Sequence, residues 1–252
     1  MTNNQMNRFP LLVLLVLALV FGRSGRVIAY TTTIADTTFN VSDWSSFSVI
    51  PAPGEAPAII NFNQVASGGN TGSYMQLNIS QTSTDIGGGS DIFGGIQSAA
   101  LTWNPSTQGA ITSLDISVDW KGLSIDGSSY LNLFFIQNGL VFVDPNNFTF
   151  VGGETGWISY SGSTIYPGDL YRGFHLDGTY EASFLDFSQS GGVISFGLGS
   201  SEASSAAITN SIGIDNFSVS VTTSAVPEPS TYALFGLGAL ALLIAYRHKR
   251  TA

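Results

Sequence analysis

The segment LDISVDWK, residues 114–121, alternates four apolar with four polar side chains and decides the class of fold. Strict alternation over eight residues is the pattern of a β-strand with one face in the core and the other in water. The segment MQLNIS at 75–80 repeats it, and apolar positions between Ile212 and Val221 close the domain in the same way. No convincing amphipathic helix interrupts the strand-like runs that begin at Tyr30.

Turn residues separate these runs. Asn138-Gly139 lies between two apolar stretches and predicts a type I′ hairpin, because both central residues of that turn take positive φ. Asp126-Gly127 and Asp177-Gly178 predict two further hairpins. About eleven short strands predict an all-β domain, a two-sheet antiparallel β-sandwich, with a helix in the signal segment and a transmembrane helix in the tail.

Residues 1–29 are predicted to be a signal peptide. An apolar run at Phe9–Gly22 follows a basic residue, and Val27 and Ala29 stand at −3 and −1 to a plausible cut before Tyr30. Two arginines directly after the apolar run are unusual for a signal peptide. A shorter cut or an uncleaved anchor therefore stays open as the alternative.

The predicted ectodomain, residues 30–222, is followed by a tail at 223–252 with three features in a fixed order. A proline-containing motif at 226–230 comes first, then an apolar segment at 231–246 and a basic end at 247–252. The apolar segment predicts a transmembrane helix, and the basic end should stay cytoplasmic, which leaves the ectodomain outside. The residues of the motif and of the basic end are Val226, Pro227, Glu228, Pro229, Arg247, Lys249 and Arg250.

This ordered trio, from Val226 to Arg250, resembles the PEP-CTERM sorting domain of Gram-negative bacteria. The resemblance implies recognition by an exosortase, removal of the helix near the motif, and passage through the export translocon and signal peptidase. It also implies an inner-membrane precursor that is delivered to the cell surface, the outer membrane or the extracellular matrix. Two prolines keep such a motif extended and accessible. An ordinary single-pass tail with a proline-containing stalk is the alternative.

Five stretches of the ectodomain resemble the jelly-roll, lectin-like domains common in PEP-CTERM proteins. They are Phe39–Trp44, Gly68–Tyr74, Trp157–Ser161, Asp186–Gly191 and Gly213–Val219. The resemblance implies a fold and a cellular localisation, but no defined activity.

The charge distribution excludes nucleic acid as a partner. All 17 acidic residues lie between Asp36 and Glu228, and only Lys121 and Arg172 are basic in that stretch. Binding to nucleic acid requires clustered lysine and arginine. Such a surface suits neutral glycans or divalent cations, although solubility alone would also explain it.

Catalytic signatures are weak. The chain has no cysteine, His175 is the one histidine of the ectodomain, and no Gly-x-Ser-x-Gly motif occurs. Asp115 and Asp119 share one strand face about 13 Å apart, farther than the roughly 5 to 9.5 Å that flank a glycosidic bond. Carboxylate pairs from different strands stay open, and the sequence predicts a protein that is not an enzyme.

Calcium is the one cofactor that the sequence suggests. Jelly-roll binding modules often hold this ion where the first and last strands meet, and by that resemblance Asp36, Asp215 and Asn70 are candidate ligands. The alternative is that Asp36 caps a turn and Asp215 pairs with nothing.

Sugar binding requires exposed aromatic rings. Trp44, Trp103, Trp157 and Tyr171 lie near predicted loops or strand ends and are the candidates, whereas Trp120 alternates with the core face. The alternative is that these rings pack in the core.

The sequence therefore predicts a non-catalytic, exported protein of the cell surface or matrix, sorted through its tail and processed by an exosortase. A calcium-stabilised carbohydrate-binding module, with exopolysaccharide as partner, is the alternative. A glycoside hydrolase is the third functional hypothesis.

Overall fold

A computed structural model of the chain describes residues 29–49, 57–81, 91–126, 129–144, 148–150, 156–203, 207–224, 238–239 and 246. In its described residues fourteen strands form two sheets, and every strand pairing is antiparallel. In chain order the strands are β1 (Tyr30–Asp36), β2 (Trp44–Val49), β3 (Ile59–Val65), β4 (Tyr74–Gln81), β5 (Asp91–Trp103), β6 (Ile111–Ser124), β7 (Ser129–Gln137), β8 (Leu140–Val143), β9 (Phe148–Phe150), β10 (Ile158–Ile165), β11 (Gly173–Phe174), β12 (Tyr180–Glu181), β13 (Ile194–Ala203) and β14 (Ile208–Thr223).

The six-stranded sheet has the order β10-β6-β14-β4-β3, and β1 pairs with the second half of β14. The eight-stranded sheet has the order β12-β11-β8-β7-β13-β5-β2, and β9 pairs with the start of β7. Between β1 and β2 lies a 3-10 turn at Val41–Asp43, and between β5 and β6 a short helix, α1, at Pro105–Gln108. Asn104 caps α1 by accepting a hydrogen bond from the Ser106 amide.

The core lies between the two sheets and follows the predicted alternation. Leu114, Ile116, Val118 and Trp120 on β6 are all buried in one cluster with apolar residues of β4, β7, β13 and β14. The polar residues between them therefore face away from the core. The prediction of a two-sheet antiparallel sandwich is confirmed, and the strands beyond the predicted eleven include three of only two or three residues.

Two of the three predicted hairpins are confirmed. Asn138 and Gly139 have φ angles of 54° and 81° and join β7 to β8. Gly178, at φ 84°, lies in the turn between the paired strands β11 and β12. The hairpin predicted from Asp126 and the glycine after it is wrong, because β6 and β7 belong to different sheets. Turn residues there mark a crossing between sheets, which needs the same local chemistry as a hairpin.

Most of the predicted ends lie outside the described residues. This applies to residues 1–28 of the signal peptide, to the motif at 226–230 and to the basic end at 247–252. Of the predicted tail helix, Gly238, Ala239 and Tyr246 are described, and all three are helical. Among the described residues, no helix has the length and apolar character needed to cross a membrane.

Candidate functional site

Two carboxylates face each other on the outer side of the six-stranded sheet. Asp119 of β6 and Asp215 of β14 are directly paired in register. Because the neighbouring residues Val118 and Ile214 point into the core, both aspartates point outward. A β-bulge follows immediately in β14, where Asn216 takes a φ of 50°. We call Asp119 and Asp215 the acidic pair.

A glycine-rich loop, residues 68–73, covers the acidic pair. Asn70 donates from Nδ2 to Asp119 Oδ2 at 2.7 Å, and the Thr71 amide donates to Asp215 Oδ2 at 3.1 Å. Asn216 adds a side-chain bond to Asp119 Oδ2 at 2.6 Å and a backbone bond to Asp215 Oδ1 at 2.8 Å. The acidic pair thus serves as an anchor for the loop.

Burial and hydrogen bonding act in opposite directions on the pKa of Asp119. Asp215 is fully buried and Asp119 is 7% exposed. Burial raises the pKa of Asp119, but hydrogen bonds from Ser159, Asn216 and Asn70 outweigh it, and the pKa lies below its ordinary value. Asp119 is therefore a carboxylate held in its ionised form by amide and hydroxyl donors.

The loop approaches the pair so closely that it requires a glycine. A Cβ atom on Gly69 would lie 2.6 Å from Asp215 Oδ2 and 3.0 Å from two backbone oxygens. Trp157 fastens the loop from the other side, since its Nε1 donates to the Gly68 carbonyl at 3.0 Å and its ring packs edge-on against Tyr74 at 5.4 Å. Trp157, a candidate sugar platform, is half-buried and engaged in this support.

Asp36 does not join the acidic pair. Its side chain lies on the core face of β1 and accepts bonds from the Thr38 and Phe39 amides and from Trp44 Nε1, at 2.8, 2.7 and 2.9 Å. Burial raises the pKa of Asp36, but these hydrogen bonds outweigh it and the pKa is lowered. The interpretation of Asp36 as a turn cap is confirmed.

The predicted calcium ligands are therefore not brought together. Asn70 and Asp215 lie in one cluster, but Asp36 lies on the opposite face of the sheet. The alternative in which Asp215 pairs with nothing is also wrong, because it accepts two backbone bonds. Within the described part of the chain, no three acidic or histidine side chains stand close enough to hold a metal ion.

Two predicted sugar platforms are wrong. Trp44 is 5% exposed and packs against Phe39 and Phe217, with ring centroids 5.8 and 6.3 Å away. Trp103 is 3% exposed and donates from Nε1 to the Gly109 carbonyl at 3.0 Å. Neither ring offers a face to a ligand in solution, because both complete the apolar core.

Tyr171, the remaining candidate, is exposed and has a partner that the sequence did not single out. The ring of Phe184 lies 5.5 Å from that of Tyr171, tilted by 52°. The two residues are 51% and 56% exposed. Single exposed apolar side chains are common on protein surfaces, but two exposed rings in contact form a small apolar patch.

This aromatic pair stands beside a cleft of about 680 Å³ at one end of the sandwich. We call it the aromatic cleft. Phe184 is one of its lining residues, and apolar residues of β8 also line it. Polar lining residues are Gln137, Asn138, Ser183, Asp186 and Ser188.

One glutamine supports this side of the cleft. The Gln137 amide donates from Nε2 to the Asp186 and Gly192 carbonyls at 2.9 and 2.8 Å, and its Oε1 accepts from the Asp186 amide at 2.8 Å. Gln137 is buried, so these three bonds fix the segment after Phe184 against the end of β7.

The residues that sequence reasoning missed are Asp119, Asn216, Phe184 and Asn138. The sequence shows the doublets Leu170-Tyr171 and Phe184-Leu185, but only the structure shows that one residue of each is buried and the other exposed. No local signal places Asp119 beside Asp215, because that contact depends on which strands are neighbours.

Comparison of the chain with known structures and families gives three findings. No curated protein sequence matches it. The family 11 carbohydrate-binding module of Clostridium thermocellum is similar at 17% identity and a TM-score of 0.40, over 78% of this chain and 98% of that one. The mannan-recognising module TmCBM27 is similar at 12% identity and a TM-score of 0.43, over 79% and 99%. These values are too low to carry an argument about function.

The third finding concerns the tail. Residues 225–250 match the family model of the PEP-CTERM protein-sorting motif. The matched range contains the Pro-Glu-Pro tripeptide, the apolar segment and most of the basic end in the order that the sequence analysis described. The chain therefore carries the PEP-CTERM protein-sorting motif that marks an exported, surface-targeted protein.

Proposed function

We propose that the protein is made as an inner-membrane precursor, held by the apolar segment 231–246, and released by an exosortase that cuts near Pro227-Glu228-Pro229. The β-sandwich is then delivered to the cell surface or the extracellular matrix. The observation that carries this proposal is the match of residues 225–250 to the PEP-CTERM sorting motif. The export signal at 1–29, the translocon and the signal peptidase complete the route.

The delivered domain has no catalytic role in this proposal. The one pair of facing carboxylates found above, Asp119 and Asp215, is covered by the loop 68–73, and both already accept hydrogen bonds from the protein. A glycosidase needs two carboxyl groups on either side of an open sugar site. This covered arrangement suits a structural anchor instead.

The motif can be tested in cells that contain the processing enzyme. Replacing Glu228→Ala should block processing, so that the intact mass of the product keeps the tail. Glu181→Ala is the matched control, because Glu181 is an exposed glutamate of the ectodomain. If E228A yields the same shortened mass as the wild type, recognition does not run through this motif.

A second candidate function is carbohydrate binding by the ectodomain, with extracellular polysaccharide as the partner. The exposed contact between Tyr171 and Phe184 beside a cleft favours it. A glycan array probed with the purified protein tests this candidate, with and without a calcium chelator. If the protein binds no glycan, carbohydrate binding is excluded as a function. If binding survives the chelator, it does not depend on calcium.

A further inference from the structure

We propose that the aromatic cleft binds a neutral polysaccharide chain, with Phe184 as the ring on which a sugar stacks and Tyr171 as a second ring that flanks it. This inference rests on the second candidate function and gives it a site and a substrate class. The argument uses the way the two rings are held, the chemistry of the cleft and the charges around it.

The exposure of the two rings is built into the backbone. The Leu185 amide donates to the Leu170 carbonyl at 3.0 Å, which fixes the two chain segments side by side. Leu170 and Leu185 are buried in the core, and the adjacent residues Tyr171 and Phe184 point to solvent. The leucines thus determine which side chains face outward, and the rings keep a defined separation before any ligand arrives.

The cleft has the size and the mixed surface that a sugar chain needs. Its volume of about 680 Å³ lies in the usual range of small-molecule sites. A pyranose has an apolar face of C–H groups and a rim of hydroxyl groups. Phe184 offers an aromatic face, and the Asn138 amide and the Ser183 hydroxyl offer hydrogen-bonding groups on the lining. Both kinds of contact are therefore available within one cleft.

The charges nearby select a neutral chain. Asp186 lines the cleft and would repel an acidic polysaccharide. Arg172 is the basic residue closest in sequence to the two rings, and its guanidinium group lies over the ring of Tyr180 at 5.1 Å. His175 is engaged with Glu181 at 3.6 Å. Uronic-acid polymers should consequently bind more weakly than neutral hexose or pentose polymers.

The test uses the full chain purified in detergent micelles and measures retardation in gels that contain one polysaccharide each. The probes are hydroxyethylcellulose, xylan and mannan as neutral chains and alginate as the acidic chain. The wild type should be retarded by at least one neutral probe and not by alginate. The double variant Tyr171→Ala/Phe184→Ala should bind about tenfold more weakly.

Three further variants test whether binding depends on the cleft itself. Tyr171→Phe keeps the ring and should bind like the wild type. Ser183→Arg places a long side chain in the cleft without removing a core contact, and should also weaken binding about tenfold. Ile59→Ala removes an exposed apolar side chain of β3, on the other sheet, and should change nothing.

The outcomes separate the inference from the functions it rests on. Retardation by a neutral probe that the double variant and S183R lose, and Y171F keeps, supports the site. If the double variant and S183R both bind like the wild type, the proposed site is wrong, although the protein still binds carbohydrate. Absence of retardation by every probe would overturn both. The sorting proposal is unaffected in each case, because its readout is the mass of the processed protein.

Discussion

The acidic pair and the aromatic cleft both contain polar groups outside the apolar core, but they differ in whether their side chains already have partners within the protein. Asp119 and Asp215 accept hydrogen bonds from the protein and are covered by a loop. Tyr171 and Phe184 are half-exposed and lie in contact with each other.

A cluster of reactive residue types is therefore a poor indicator of a binding site by itself. The acidic pair has the more suggestive chemistry, yet its geometry stabilises the fold. The aromatic cleft has ordinary residues, yet they are held open. The four predictions below test this comparison at the acidic pair, where the expected effects on stability run from large to none.

The largest effect is expected from Asp215→Ala. Removal of this buried carboxylate leaves the amides of Thr71 and Asn216 without their acceptor, and the free energy of unfolding should fall by about 3 kcal/mol. Urea unfolding followed by tryptophan fluorescence measures it. Asp43→Ala, at a partly exposed residue of the 3-10 turn, should cost less than about 0.5 kcal/mol. Equal losses in the two variants would contradict the anchoring role.

A smaller loss is expected from Gly69→Ala. The added methyl group would meet Asp215 Oδ2 at 2.6 Å, so the loop must move away, at a cost of about 2 kcal/mol. Gly156→Ala is the matched control, because nothing lies within 4 Å of its Cβ position. Thermal unfolding of both variants checks the comparison, and a neutral G69A would show that the loop does not need its close contact.

Asp119 and Asp36 also predict a dependence of stability on pH. The pKa of Asp119 and that of Asp36 are lowered in the folded state, so their contribution is complete above the unfolded value of about 3.9 and is lost as pH falls through the folded values. Melting temperatures should be level from pH 7 to about pH 5 and fall below that. Asp119→Asn should be less stable at pH 7 and show a shallower fall. If the melting temperature of D119N falls with pH as steeply as that of the wild type, the ionisation of Asp119 is not a source of the pH dependence.

The smallest effect is expected from calcium. Since Asp36 lies on the opposite face from Asp215 and Asn70, the predicted ligands do not form one site. A site whose dissociation constant is one hundredth of the ion concentration would add about 2.7 kcal/mol to the free energy of unfolding. Addition of 10 mM CaCl₂, about a hundred times a typical extracellular-site constant of 10⁻⁴ M, should leave the melting temperature unchanged. A clear rise would show that the ion has a site elsewhere in the chain.

Features that depend on the local alternation of residues could be predicted from the sequence. Features that depend on contacts between strands far apart in the sequence could not. The alternation at Leu114–Lys121 and the Asn138-Gly139 turn are local, and both are as expected. Trp44 and Trp103 lie at strand ends, which resemble loops in sequence, but the sandwich closes over both rings. The contact between Asp119 and Asp215 depends on β6 and β14 being neighbours, a fact that no local pattern contains.

The aromatic cleft shows the same limit. Tyr171 was recognisable as a candidate, but its partner Phe184 becomes visible only when the Leu170–Leu185 hydrogen bond sets the two segments side by side. Exposure of an aromatic residue is a property of the whole fold, so the sequence could rank such residues but not choose among them.

Intact mass spectrometry of the protein recovered from its producing cells tests the central claim most directly. Delivery through the sorting motif predicts a product that ends near Pro227-Glu228-Pro229 and has lost the apolar segment and the basic end. A product that still contains Tyr232 through Arg250, in cells with an active exosortase, would contradict it.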